Sequence, residues 1–126
     1  MGQRILADTN CLIDYLDNKL TASANNLLEN EQIEISVINR IELLSWHSAT
    51  TEQTETLIDL IHNCIVYSLN EEIILKSIVI RKNLRLKLPD AIIAATSLVH
   101  DLILLTRNVN DFNKVPGLNV INPHSL

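Results

Sequence analysis

Acidic side chains stand at four points of the sequence where a predicted strand ends or a predicted helix passes the edge of a sheet. Carboxylates gathered in one cleft raise each other's pKa values unless a cation joins them. Mg²⁺ or Mn²⁺ meets this need with oxygen ligands, and such an ion can polarise a phosphoryl oxygen and activate water. The pattern therefore predicts phosphodiester hydrolysis at a divalent metal site. The four acids are Asp8 in "RILADTN", Glu42 in "VINRIELLSWH", Asp90 in "LKLPDAIIAATS" and Asp111 in "LLTRNVNDF".

Taken one at a time, these acids also have purely structural interpretations. Asp90 follows Pro89 in the first turn of a predicted helix, where its charge would offset the positive end of the helix dipole. Glu42 lies at the margin of an apolar stripe, so its stem could pack while its head reaches water. Asp111 could cap a helix, and Phe112 is expected to anchor that turn against the core. On sequence alone both interpretations stay open, and only the joint placement favours a site.

Short apolar runs alternate with longer amphipathic segments along the chain. This alternation predicts the α/β class, as a three-layer α/β/α domain with a central, mostly parallel sheet. In such sheets, sites form at the carboxyl ends of strands near the switch in strand order, and Asp8 lies at one such end. The predicted strands cover residues 4–7, 33–36, 64–69, 102–106 and 119–121, and the predicted helices cover residues 10–18, 22–30, 37–47, 52–63, 71–84 and 88–100.

Composition narrows the classes of protein further. A length of 126 residues and a hydrophobic content of 47% predict a single globular domain over residues 1–126. The chain has only two glycines, so neither a P-loop nor a GxGxxG turn can be built, which excludes the commonest nucleotide-binding sites. The apolar runs are too short for a membrane span, and the early first strand leaves no room for a signal peptide. With two isolated cysteines, this favours a cytoplasmic protein with reduced thiols.

The net charge of −5 is unfavourable for coating nucleic acid, because binding of that kind depends on neutralising phosphates. A nucleic-acid substrate would need a local basic patch or metal ions. The segment "IRKNLRLKLPD" offers such a patch directly before Asp90, and a further basic residue follows the fourth strand. Favourable charge near a helix C-terminus explains part of this segment equally well, and both roles can coexist. The candidate phosphate contacts are Arg81, Lys82, Arg85, Lys87 and Arg107.

The motifs "ILADTN", "INRIELL", "LKLPDAIIAATS" and "LLTRNVNDF" together resemble the PIN-domain nucleases, most of all the VapC-type toxins of toxin–antitoxin pairs. The resemblance covers nearly the whole chain, with the motifs in the family's order. It implies an α/β/α domain, Mg²⁺- or Mn²⁺-dependent endoribonuclease activity, a cognate antitoxin and a homodimer. It also implies that the helices between Asn10 and Asn30 present exposed apolar surface to the antitoxin.

The same resemblance implies roles for individual residues. Asp8 and Asp90 match the metal-binding aspartates, and Glu42 matches the third acid. Asp111 matches the fourth acid, whose placement varies most in the family. The polar pair that positions the first acid and nearby water corresponds to Thr9 and Asn10.

Two other enzyme classes place acids at similar points and fit less well. A haloacid-dehalogenase-type phosphatase needs a second aspartate two residues after the first, where this chain has Asn10. A phosphorelay receiver domain has its phospho-acceptor after the third strand, where "CIVYSLN" offers Ser68 and Asn70. The remaining alternative is a PIN-like module that binds RNA or a protein without catalysis.

Overall fold

The computed structural model describes residues 4–126, and five short parallel strands form its centre. Every strand pair is parallel, and the order across the sheet is β3-β2-β1-β4-β5. The prediction of an α/β/α domain with a mostly parallel sheet is therefore confirmed, and the sheet is wholly parallel. The strands are β1 (Ile5–Ala7), β2 (Ile33–Ser36), β3 (Ile65–Tyr67), β4 (Ile103–Leu105) and β5 (Val120–Ile121).

Helices connect the strands, and all six predicted helices are present. The structure adds a seventh helix of four residues and a 3₁₀ turn of three, both too short to produce a helical period in the sequence. The third helix ends at Leu44, three residues before its predicted end. The helices are α1 (Thr9–Leu16), α2 (Ala22–Asn30), α3 (Val37–Leu44), α4 (Thr51–His62), α5 (Glu71–Asn83), α6 (Leu88–Val99) and α7 (Val109–Phe112), followed by the turn Pro123–Ser125.

Two apolar cores lie on opposite faces of the sheet, because successive strand residues point to opposite sides. Leu6 of β1 packs among residues of α5 and α6, and the fully buried Phe112 anchors α7 in that same core, as predicted. Ile5 and Ala7 pack on the other face, among residues of α1 to α4. Within residues 4–126, no helix combines the length and the apolar character needed to cross a bilayer.

The strand order places a switch point beside β1. The chain runs from β1 outward through β2 to β3, and then returns to the other side of β1 for β4 and β5. In open parallel sheets, the crevice at the carboxyl ends of the strands at such a point is the usual place for a site. Asp8 directly follows β1 and Thr106 directly follows β4, so the two residues flank this crevice.

Apolar side chains between Asn10 and Asn30 are less exposed than those of three other helices. On this segment Leu12 is buried and Tyr15 and Leu28 are half-buried, and these three residues line a groove. The apolar docking surface expected on this segment stays a prediction. Helices α3, α4 and α5 carry large apolar residues that are exposed, namely Ile41, Leu44, Ile58, Ile74, Leu75, Ile78 and Val79.

Candidate active site

Asp8 is held at the switch point by four hydrogen bonds. It is the N-cap of α1, and only 5% of its surface is exposed. Its Oδ1 accepts from the Thr9 backbone N–H at 2.8 Å and from Asn39 Nδ2 at 3.3 Å. Its Oδ2 accepts from the Thr106 hydroxyl at 2.8 Å and from Asn10 Nδ2 at 3.4 Å. The carboxylate is thus fixed in one orientation by groups from three separate parts of the chain.

The pKa of Asp8 is nevertheless raised. Burial is the largest cause, and it outweighs the hydrogen bonds from Thr106, Thr9 and Asn39 and the charge of Arg107, all of which lower the pKa. The surrounding donors therefore do not fully replace the water that the ionised carboxylate has lost. A cation placed beside Asp8 would supply the stabilisation that is missing.

A short chain of hydrogen bonds links Glu42 to the same place. Asn39 Nδ2 donates to the Thr9 hydroxyl at 3.1 Å, and that hydroxyl donates to Glu42 Oε1 at 2.7 Å. The side chain of Asn39 also accepts from the Ser36 backbone N–H, which completes the capping box at the start of α3. Glu42 is exposed at the rim of the crevice, where its carboxylate is oriented by Thr9.

Asp90 faces the other three acids from the first turn of α6. Its pKa is raised by burial first, and then by the negative charges of Asp8, Glu42 and Asp111, with only Lys87 acting in the opposite direction. The other three acids that the sequence singled out therefore all lie within electrostatic reach of Asp90. Asp111, on α7, has about half of its side chain accessible, and Lys114 Nζ lies 3.9 Å from its Oδ1.

The donor set suits a hard divalent cation that keeps part of its water. Within residues 4–126, no three acidic, histidine or cysteine side chains lie close enough together to enclose a metal ion. The acids of the crevice offer oxygen atoms only, and Mg²⁺ binds through one or two carboxylates while retaining several waters. Acids that are too far apart to coordinate one ion directly can still hold its water ligands. The residues present thus fit Mg²⁺ or Mn²⁺ bound partly through water. They do not fit an ion whose ligands all come from the protein.

All five predicted phosphate-binding residues are exposed, and four of them lead toward Asp90. Among residues 4–126, none of these four forms an ion pair. Arg107 differs, because its Nη1 lies 3.0 Å from both carboxylate oxygens of the buried Asp14. The four residues that lead toward Asp90 are Arg81, Lys82, Arg85 and Lys87.

Three polar residues around the crevice were not identified from the sequence. Asn39 and Thr106 contact Asp8 directly, and Asp14 pairs with Arg107. Asn39 stands three residues after a serine that begins a helix, which is the spacing of a capping box and could have identified it. Asp14 follows Asn10 by one helical turn, a spacing that places the two on the same side of α1. Thr106 gave no signal beyond its position after β4.

Comparison with known proteins agrees with this geometry. A family model described as the PIN domain matches residues 5–118. A toxin–antitoxin complex from Klebsiella pneumoniae contains a chain of 33% identity and TM-score 0.77, over 94% of this chain and 97% of that chain. VapBC2 from Rickettsia felis, bound to a promoter DNA fragment, matches at 22% identity and TM-score 0.76, over 94% and 97%. VapBC-1 from nontypeable Haemophilus influenzae matches at 23% identity and TM-score 0.76, over 94% of this chain and 96% of that chain.

At these lower identities, the second and third similarities concern the fold alone. A comparison with curated protein sequences finds no match. The family match spans strands β1 to β4 and the four acids of the crevice. The chain therefore belongs to the PIN domain family.

Proposed function

We propose that the protein is a Mg²⁺- or Mn²⁺-dependent endoribonuclease and the toxin of a VapBC-like toxin–antitoxin pair. The observation that carries this proposal is the raised pKa of Asp90, to which Asp8, Glu42 and Asp111 all contribute. Uncompensated negative charge gathered at a switch point favours binding of a divalent cation. Membership of the PIN domain family supports the same conclusion.

In this proposal, each acid has a distinct task. Asp8 and Asp90 hold the cation, with Asp8 kept in orientation by its four hydrogen bonds. Glu42 receives the Thr9 hydroxyl on Oε1, which leaves Oε2 free to orient a water molecule. Asp111 adds charge from the opposite rim. The cation supplies Lewis-acid polarisation of the phosphoryl oxygen and lowers the pKa of water.

The charges also order the binding events. Acids that face the crevice repel the phosphates of RNA, so the substrate is expected to bind productively only after the cation is present. The exposed bases before Asp90 can then receive phosphates that flank the cleaved bond. We assign this role to Arg81, Arg85 and Lys87, because Lys82 lies on the outer stripe of α5 that is proposed below to form a dimer.

The direct test is a titration of Mg²⁺ or Mn²⁺ into the purified protein with a mixed pool of cellular RNA. We expect cleavage that rises with the concentration of either metal and stops when EDTA is added. Gel-shift binding of the same RNA with and without metal distinguishes the alternative. RNA binding that is independent of metal, with no cleavage at any metal concentration, would show a non-catalytic PIN-like module.

An antitoxin partner is part of the proposal. The solved structures that resemble this chain include a toxin–antitoxin complex at 33% identity. More distant structures of the same fold are VapBC assemblies. Two surfaces are available for such a partner: the exposed apolar residues of α3 and α4, and the groove lined by Tyr15 and Leu28 on the segment between Asn10 and Asn30.

A homodimer is also proposed, through the outer surface of α5. Ile73, Ser77 and Ile80 face the core, so the opposite stripe of the helix reads Glu71, Leu75, Ile78, Lys82. Two apolar side chains of similar size, Leu75 and Ile78, lie at the middle of this stripe. A negative residue stands at one end and a positive residue at the other. A two-fold axis at the midpoint would place two such helices antiparallel, with Leu75 against the Ile78 of a second copy and Glu71 against its Lys82. The stripe therefore suits pairing with itself.

Reversing these charges tests the arrangement. Glu71→Lys alone should weaken dimerisation by at least about 5- to 30-fold, because it removes two symmetric ion pairs worth about 0.5–1 kcal/mol each, and the repulsion between the new lysines and Lys82 adds to this loss. Adding Lys82→Glu should restore it. Sedimentation equilibrium measures both, with Glu55→Lys on the surface of α4 as the matched control. Within one helix the two positions are about 16 Å apart, so restoration requires a second copy. Equal dimerisation of all four proteins would contradict the proposed surface.

A further inference from the structure

Beside the crevice, the buried Asp14 and its two partly exposed partners have no part in the chemistry assigned above. Asp14 lies on α1, one turn after Asn10, and its side chain is 3% exposed. Arg107 Nη1 is 3.0 Å from both of its carboxylate oxygens, and His124 Nε2 is 2.8 Å from Oδ2. A buried carboxylate is costly unless it is paired, so retaining one here requires a structural reason.

Hydrogen bonds connect Asp14 and Arg107 to Asp8. The backbone N–H of Arg107 donates to Asn10 Oδ1 at 3.3 Å, so this residue is attached to α1 through both its backbone and its side chain. The preceding residue is Thr106, whose hydroxyl donates to Asp8 Oδ2. The position of the Thr106 hydroxyl, which donates to Asp8, thus depends on how firmly Arg107 is attached to α1.

The same attachment leads to the fourth acid. The Asn108 backbone N–H donates to the Thr106 hydroxyl at 3.1 Å, and Asn108 is the N-cap of α7, which carries Asp111. Asn108 makes no side-chain capping bond, so the start of this four-residue helix is held chiefly by its neighbours. Residues 106–108 therefore connect Asp8 on one side of the crevice with Asp111 on the other.

The C-terminal segment closes over this attachment. The Thr106 backbone N–H donates to the Ile121 carbonyl at 2.9 Å, which continues the pairing of β4 with β5. Three residues later, in the 3₁₀ turn Pro123–Ser125, His124 reaches Asp14. Asp14 thus contacts Arg107 from the segment after β4 and His124 from the segment after β5, and these two segments meet at Thr106.

We infer that Asp14 is a positioning residue, which through Arg107 fixes residues 106–108 and thereby sets the geometry of Asp8 and Asp111. The inference rests on the proposed nuclease function. It assigns to Arg107 a role different from a phosphate contact. The guanidinium binds Asp14 rather than RNA, and it affects Asp8 only indirectly, through the backbone and the hydroxyl of Thr106.

The two roles of Arg107 predict different kinetics. If Arg107 acts through Asp14, Asp14→Asn and Arg107→Gln should each lower kcat by about 10- to 100-fold, as removal of outer contacts to a metal ligand does, with KM changed less than about twofold. The double variant should be no worse than either single variant, because both changes break one contact. Arg107→Lys should recover part of the activity, since it keeps the charge. Asp59→Asn, an exposed aspartate on α4, is the control.

A second measurement does not depend on activity. Amide hydrogen exchange in the metal-free protein should become faster at Thr106 and Asn108 in Asp14→Asn and Arg107→Gln, and stay unchanged in Asp59→Asn. Asp14→Asn removes the buried charge together with its need for a cation, so this variant is expected to fold and to report on Thr106 and Asn108 even if Arg107→Gln, which leaves Asp14 without that cation, does not fold.

The outcomes separate the two proposals. A rise in KM for Arg107→Gln with normal kinetics for Asp14→Asn would overturn the inference and make Arg107 a phosphate contact. Unchanged exchange at Thr106 and Asn108 in Arg107→Gln would overturn it as well. Absence of cleavage by the unsubstituted protein would instead refute the nuclease proposal, and the exchange measurement would still decide the positioning role.

Discussion

Replacing Asp8 with asparagine is expected to reduce metal-dependent cleavage of RNA by at least about 100-fold. Loss of an outer contact to a metal site costs about 10- to 100-fold, and Asp8 is proposed to hold the cation itself. The substitution keeps the size of the side chain and removes its charge. The measurement is the initial rate of cleavage at saturating Mg²⁺, with Glu55→Gln on α4 as a control that removes an exposed charge far from the crevice.

The fold of Asp8→Asn should remain intact. The amide oxygen can still accept from the Thr9 backbone N–H and from Asn39 Nδ2, so the side chain keeps two of its four hydrogen bonds. Burial raises the pKa of Asp8, so the ionised carboxylate destabilises the metal-free fold, and its neutral replacement removes that cost. An unchanged circular dichroism spectrum together with lost cleavage separates chemistry from folding. Cleavage at the normal rate would exclude Asp8 from the site.

The convergence of the four acids followed from patterns that are strong in this sequence. "ILA" is apolar at every position because β1 is covered on both faces, and such a run locates the strand and the acid after it. Pro89 and Asn70 mark helix starts by their own chemistry. The alternation of strands and helices then restricts the sheet to a parallel arrangement, whose strands all end at the same edge.

The contacts that orient the acids could not be predicted in the same way. Asn39 and Thr106 are 31 and 98 positions from Asp8 in the chain, and their hydrogen bonds depend on the register between neighbouring strands. The ion pair of Asp14 with Arg107 likewise joins residues that no local period connects. Helix α7 has one turn only, so the helical setting of Asp111 was not predicted, although its position after β4 was. Local sequence patterns locate single residues. Contacts between residues that are distant in the sequence depend on how the helices and strands pack together.

Asp90 shows why the crevice is expected to be unstable without a cation. Its carboxylate is partly buried and faces three other acids, and the opposing charge comes from a single exposed lysine. Sites of this kind trade stability for function, since the charge that attracts the ion also repels its neighbours when the ion is absent. The cost should therefore be measurable as a property of the metal-free protein.

We expect Asp90→Asn to abolish cleavage and to make the metal-free protein more stable than the unsubstituted protein. The sign follows from the direction of the pKa shift. Burial and the neighbouring acids raise the pKa of Asp90 above that of the unfolded chain, so between the two values the folded state holds the proton more tightly. The free energy of unfolding therefore falls as the pH rises through this window, and at neutral pH the full cost is present. Urea unfolding in EDTA at pH 4 and pH 7 measures it.

The advantage of Asp90→Asn should be larger at pH 7 than at pH 4, because protonation removes most of the cost from the unsubstituted protein at the lower pH. Saturation with Mg²⁺ should reverse the order at pH 7: an ion present at a hundred times its Kd stabilises the protein that binds it by about 2.7 kcal/mol, and the variant should gain much less. Asp59→Asn should show neither the pH dependence nor the loss of stabilisation by Mg²⁺. If Asp90→Asn gained as much from Mg²⁺ as the unsubstituted protein, Asp90 would not hold the ion, and the charge gathered around it would need another explanation.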